Sequence, residues 1–333
     1  MKIANCKSTM LKSTFYLLLG FVFFASISCQ SKDEKIKVLI VDGQNNHVVW
    51  PKSTIMMKQY LEENGAFQVD ISRTQFLNKS ETFSEWLALA DVPKGVEGKP
   101  KTDPDFNPDF SKYDVVISNF GWQAASWSEK TKTEFEAYVN NGGGFVSVHA
   151  ADNSFPEWKA YNKMIAIGGW GNRNEKDGPY LYVDKDNMPK RDYTEGAAGR
   201  HGPKEPFLVT TYNKEHPITK GMPDSWMHTS DECYAFLRGP AENVTILATA
   251  VSSKKAPELE QKEPVAMAID YGKGRVFHTT LGHDTTSFEC VGFITLLRRG
   301  VEWAATGQVI NNEMPEDFPT AQKIASRSFK LQK

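Results

Sequence analysis

The stretch Gly142-Gly143-Gly144-Phe145-Val146-Ser147-Val148-His149-Ala150-Ala151-Asp152 constrains the fold more than any other. An amphipathic segment stops at the glycines, and a run of β-branched and aromatic residues follows. That run ends on a histidine and two alanines, which predicts helix, strand and tight turn. In an open α/β sheet, ligands bind just beyond the carboxyl ends of parallel strands, so His149 stands where such a fold keeps its chemistry. Ala150 and Ala151 let backbone or substrate approach closely. The competing reading is a buried strand whose terminal histidine is only hydrogen-bonded.

The preceding chain alternates strand and helix. Ile36 to Val41 is an apolar run of the kind found in parallel strands buried on both faces, and it delivers Asn45, Asn46 and His47 to its carboxyl end. Trp50 and Pro51 open a helix in which Met56 and Tyr60, and Met57 and Leu61, are four apart, with Gly65 as the stop. Phe67 to Ile71 reads as a second strand. Residues 78–112 form a proline-rich, charged surface excursion with one short helix around Phe83 to Leu89. Tyr113 to Ser118 is a third strand, emptying into Asn119-Phe120-Gly121-Trp122. Ser126 to Glu129 has capping-box spacing, and Phe135, Tyr138 and Val139 give the buried stripe of the helix that closes at Gly142. Crossovers of one hand put the carboxyl ends of such strands on one edge, so His47, Asn119, Trp122 and His149 are expected as neighbours.

Beyond His149, a helix is expected from Glu157 to Ile167, broken by Gly168-Gly169-Trp170-Gly171. A polar loop of about thirty residues follows, a length that usually signals function. It ends at His201, which is either presented at the same rim or left as a solvated surface residue. His216, before Pro217, reads as a structural turn residue. Asp231-Glu232, at a loop-to-strand junction, can bind a cation, orient an imidazole or act as a base; two solvent-facing charges are the alternative. Val244 to Ala250, Pro264 to Asp270 and Arg275 to Leu281 are further strands, the last two joined by a link of hairpin length. The last strand runs into Gly282-His283-Asp284. Thr285 to Ser287 then caps a closing helix with Phe293, Ile294, Leu297 and Val301 as its stripe, and a polar surface tail follows Asn311.

Lysine plus arginine number 39 against 41 acidic residues, a net charge of -2, which leaves no basic excess for nucleic acid. Lys2, Lys7 and Lys12, the apolar run Phe15 to Ala25, and Ser26-Ile27-Ser28-Cys29 look like a bacterial lipoprotein leader, with Ser26 standing where leucine is more usual. On that reading Cys29 carries the lipid, 30–35 is a tether, and the protein is anchored at the cell envelope without spanning the membrane. Plain secretion and an uncleaved anchor are the alternatives. The remaining segments are a domain over 36–310 and a tail over 311–333. The body cysteines, Cys233 and Cys290, have neither disulfide-scaffold nor zinc-knuckle spacing.

The glycine-rich stretch through His149-Ala150-Ala151, Trp158 to Gly169, His216-Pro217-Ile218-Thr219, Asp231-Glu232, Gly272-Lys273-Gly274-Arg275-Val276, Gly282-His283 and Trp303-Ala304 together resemble the ThuA, or trehalose-utilisation-like, family. The resemblance runs from about Ile36 to Gly307. It implies an α/β, flavodoxin-like, class I glutamine amidotransferase-like three-layer sandwich with a mostly parallel central sheet, and an association with disaccharide uptake and breakdown. Amidotransferases of this fold carry a cysteine at the turn where this chain has His149-Ala150-Ala151, and Ser147 lies within the strand, so covalent acyl transfer is not expected.

The expected site gathers His47, His149, Asp231, Glu232 and His283 as catalytic groups. Asn119, Trp122, Trp170, His201 and Asp284 are the expected sugar-binding groups, with Trp127 nearby. His149, His201 and His283 are the candidate ligands for a divalent metal such as zinc. His228 is a weaker candidate, and His278 reads as packing. The expected function is that of an exported carbohydrate-active enzyme acting on a disaccharide or an oxidised (3-keto) glycoside by histidine/carboxylate acid-base chemistry. A non-catalytic sugar-binding envelope lipoprotein is the alternative, and a structural scaffold a third.

Overall fold

The computed structural model describes residues 34–77, 81–252, 261–310 and 312–332; the leader and Cys29 lie outside the described residues. Strands β1 (Ile36–Asp42), β2 (Phe67–Arg73), β3 (Val115–Ser118) and β4 (Gly144–Val148) alternate with helices α1 (Trp50–Glu62) and α2 (Glu129–Asn140). Helix α3 (Lys159–Ile165) follows, then strands β5 (Glu205–Thr211), β6 (Ser225–Asp231), β7 (Val244–Ala250), β8 (Glu263–Tyr271) and β9 (Gly274–Thr279). Helices α4 (Thr285–Phe288) and α5 (Val291–Thr306) close the fold.

The nine strands form one sheet in the order β6-β5-β7-β8-β9-β4-β3-β1-β2. From β2 to β9 every neighbouring pair is parallel, a flavodoxin-like arrangement. From β9 to β6 every pair is antiparallel. The sheet is therefore mixed, which corrects the expectation of a mostly parallel one. The physical reason is that the second half of the chain contains short returns instead of helical crossovers. Tyr271-Gly272-Lys273-Gly274 folds β8 straight back onto β9, and β5 alternates buried Phe207, Val209 and Thr211 with exposed Leu208.

Apolar side chains cover both faces. Met56, Met57 and Leu61 of α1 join Phe293, Leu297 and Val301 of α5 on Val38, Val146 and Phe277. Phe135 and Val139 of α2 join Tyr161 and Ile165 of α3 on Leu39, Val116 and Met267. Gly144 lets α5 come close, since a Cβ there would sit 2.6 Å from the Ala304 carbonyl oxygen. None of the helices among the described residues is long and apolar enough to cross a membrane.

Local details depart from expectation where packing overrides pattern. The cap of α2 is Ser128, whose Oγ accepts from the Thr131 amide at 3.2 Å, two residues beyond the Ser126 spacing. Trp127 is drawn into an aromatic layer with Phe106 and Phe135 and lies away from the rim. The closing helix is two helices, α4 and α5, separated at Cys290. The tail is not wholly a surface segment, because Phe318 packs on Trp226 and Phe329 on Tyr60, at ring separations of 5.7 Å each.

Candidate functional site

His47 follows β1, His149 follows β4, and His283 follows β9, three parallel strands whose carboxyl ends share one edge. Four successive antiparallel steps separate β9 from β6, so β6 also runs toward that edge and Glu232 emerges there. One donor atom from each of His47, His149, Glu232 and His283 lies within 4.8 Å of the others. The ring centroids of His47 are 4.9 Å from His149 and 4.6 Å from His283.

Neighbouring groups fix the tautomers. The Nδ1–H of His149 donates to the Thr280 carbonyl at 2.6 Å, leaving Nε2 as the lone-pair nitrogen that accepts from the Tyr234 hydroxyl at 2.8 Å. His149 takes φ +46° at this sharp turn, a backbone conformation costly for any side chain but glycine. His47 Nδ1–H donates to Asn45 Oδ1 at 3.2 Å, and the Asn45 amide donates to the carbonyls of Asn119 and Phe120, which sets its orientation. Gly121 makes this possible, because a Cβ there would lie 2.4 Å from Asn45 Oδ1.

Glu232 Oε2 lies 3.0 Å from His283 Nδ1. That nitrogen is buried and has no aligned hydrogen-bond partner, so the contact is a close approach without a directed N–H bond. Two donor atoms that crowd together without pointing at each other suit a shared third atom. Asp231 holds this corner: Oδ1 accepts from the amides of Glu232 (2.8 Å) and His283 (3.1 Å), and Oδ2 from Gly282 N (2.9 Å) and His228 Nε2 (2.7 Å).

Burial, reinforced by His283, lowers the His47 pKa to about 4, against the pull of Glu232 and Asp231; His201 adds a smaller downward push. Burial followed by the His47 and His283 charges holds His149 well below the usual histidine range. Burial opposes ionisation of Glu232, but the neighbouring histidines outweigh it and lower its pKa. At neutral pH the cluster therefore offers the neutral imidazoles of His47 and His149 and the Glu232 carboxylate. Between pH 6.5 and 4 the unfolded chain carries a proton on His47 that the folded chain does not. The His47 contribution to the stability of the metal-free protein should thus be fully present above pH 6.5 and fall by about 3 kcal/mol on acidification to pH 4, as read by denaturant titration. A flat profile over that window would contradict a neutral His47.

His47 and Glu232 of the cluster border a cavity of about 220 Å³ that is also lined by Trp122, Asn153, Trp170, His201 and Tyr234. Of the expected sugar-binding residues, Trp122, Trp170 and His201 border it. Asn119 does not: its amide ties the Trp50 carbonyl to the hydroxyls of Ser53 and Thr54 at the start of α1. Asp284 caps α4 and pairs with Lys204. His201 stays outside the four-residue cluster, 3.6 Å from Glu232, and His47 and Glu232 stand in the set instead. His278 is buried against the Ile165 carbonyl and Asp152, and His228 against Asp231. Tyr234, Asn45 and Asn153 were not among the expected site residues. A buried phenol two residues past Glu232 was the available signal for Tyr234, since such a hydroxyl needs a partner.

The ThuA family, described as trehalose utilisation, matches residues 37–304. The chain belongs to the ThuA family. A ThuA-like protein from Parabacteroides merdae is 39% identical, with 89% of this chain and 98% of that one covered and a TM-score of 0.76. A second ThuA-like protein, from Bacteroides uniformis, is 20% identical over 82% of this chain and 93% of that one, at a TM-score of 0.51, and shows the fold alone. No curated protein matches the chain. For a ThuA-family chain the link to carbohydrate utilisation is thus given.

Proposed function

We propose that this ThuA-family protein is a carbohydrate-active enzyme acting on a disaccharide or a 3-keto glycoside, with His47, His149, Glu232 and His283 able to hold a divalent ion such as zinc. The observation that carries the reading is the convergence of those four donor groups, two of which, His47 and Glu232, line a tryptophan-walled cavity. Three imidazoles and one carboxylate fit a borderline divalent cation. The outer partners fit as well, since Asn45 and the Thr280 carbonyl take the remaining ring N–H groups of His47 and His149. The Tyr234 hydroxyl is a rotor that can release His149 Nε2. A bound ion would supply Lewis acidity toward a sugar carbonyl or hydroxyl oxygen.

The chain's own residues supply the proton transfer. The Nδ1–H of His201 donates to the Gly202 carbonyl at 2.8 Å, which leaves the lone pair on Nε2 of a residue that lines the cavity. In a 3-keto glycoside the ketone acidifies the C2–H bond. His201 takes that proton, the C–H pair becomes the C1–C2 double bond, and the C1–O pair departs with the leaving group. The imidazolium, steadied by Glu232, returns the proton to the departing oxygen. We further propose that a lipid on Cys29 holds the protein at the cell envelope, and Cys29→Ser should release it from the membrane fraction; continued membrane association would reject that placement.

Incubation of the purified protein with native and 3-keto disaccharides should give turnover that a chelator lowers at least about 100-fold and that added metal restores. Sugar binding without turnover of any glycoside would reject the enzyme reading and leave a sugar-capture protein.

A further inference from the structure

Beside the histidine cavity lies a second, larger cleft of about 710 Å³, and Trp122, Asn153 and Trp170 line both. The histidine cavity alone is smaller than the roughly 300–1,000 Å³ of most small-molecule sites, whereas the adjoining cleft falls within that range. Three observations mark the cleft as built for a ligand. Asn153 is 3% exposed, yet its Oδ1 has no hydrogen-bond partner and the residue sits where the two spaces meet. Such a buried acceptor is costly unless something donates to it.

The backbone supplies the second. Gln123, Phe155, Trp170 and Asn172 all line the cleft and hold φ of +64°, +48°, +50° and +64°. Bulky residues rarely adopt that conformation, and where they do the surroundings enforce it, often at ligand clamps. Arg173 is part of that enforcement. Its buried guanidinium donates to the carbonyls of Gly169 and Ser154, at 2.7 Å each, and to Asn162 Oδ1, bracing the turn that carries Trp170. The third is Trp122, 41% exposed on a rim where its ring covers no core.

We infer that this cleft is the leaving-group subsite for the second ring of a two-ring glycoside. The first ring lies over His47 and Glu232, the glycosidic linkage passes Asn153, whose Oδ1 accepts from a ring hydroxyl, and the second ring lies against the faces of Trp122 and Trp170. The walls combine aromatic surface with the amides of Gln123 and Asn172 and the exposed Glu157 carboxylate, an acceptor for ring hydroxyls, while Arg173 is already consumed by protein acceptors. That chemistry suits a neutral, hydroxyl-bearing ring such as a pyranose. The inference rests on the carbohydrate reading above.

Ser126 and Ala197 are exposed residues that line the cleft but not the histidine cavity. Calorimetric titration of the full chain, and of its Ser126→Trp and Ala197→Trp variants, with methyl α-glucopyranoside and with a panel of glucose-containing disaccharides including trehalose tests the assignment. At least one disaccharide should bind the parent protein ten-fold or more tightly than the methyl glycoside. Either tryptophan should cancel that advantage while leaving methyl glycoside affinity unchanged. Methyl glycoside binding with no disaccharide advantage, or blockers that weaken both probes equally, would overturn the subsite alone. A disaccharide advantage removed by the blockers, with no turnover, would uphold the subsite and overturn the proposed reaction. No sugar binding at all would overturn both.

Discussion

Replacing His149 with alanine is expected to lower turnover at least about 1,000-fold and to reduce divalent-ion affinity by about 100-fold or more, with the fold retained. The ring is the most deeply buried of the three cluster imidazoles, and the Thr280 carbonyl and the Tyr234 hydroxyl pin both its nitrogens. Alanine removes the functional ring at φ +46° without adding a β-branched clash. Circular dichroism and chelator-controlled assays separate folding from function. A folded His149→Ala protein with parental turnover would remove His149 from the mechanism. Unchanged metal affinity would remove it from the ligand set.

The largest stability effect is expected at Asp231. Alanine there strips acceptors from three backbone amides and leaves His228 buried without its carboxylate, so a loss of about 3–5 kcal/mol is expected in denaturant titrations. Burial opposes charging of His228, but Cys290 and Asp231 outweigh it and raise its pKa to about 10. The resulting stabilisation is fully present below about pH 6.5 and declines as pH rises toward 10. That alkaline slope should be shallower in Asp231→Ala, where only Cys290 still raises the His228 pKa. Because Asp231 holds the backbone of Glu232 and His283 and faces no substrate space, it is a positioning residue. Asp231→Asn, which keeps one acceptor, should recover part of both stability and metal binding. A variant as stable as the parent would mean that the four hydrogen bonds carry no net weight.

The strands from Ile36 to Val148, the helix at Trp50 and the turn at His149 were legible because apolar runs, Pro51 and the glycines encode them locally. The direction of β5 to β8 was not, since an apolar run reads alike in parallel and antiparallel pairing. The shared rim survived the mixed topology only because four reversals return β6 to the direction of β9. Membership of the four-residue cluster was partly legible. His149 and His283 follow predicted strands directly, whereas the choice of His47 over His201 depends on loop paths that no local spacing records. Asn119 stands at the right strand end, but sequence does not reveal that α1 consumes its amide. Asn153 and Tyr234 escaped notice because their significance comes from what lies across the cavity.

The most direct measurement is the metal content and chelator response of the purified full chain, followed by isothermal titration of the stripped protein with zinc. One ion per chain, restored turnover on reloading, and loss of that binding in Glu232→Gln and His283→Ala are the expected results. Undiminished turnover by protein stripped of metal, or zinc binding indifferent to both substitutions, would contradict a single centre built from His47, His149, Glu232 and His283.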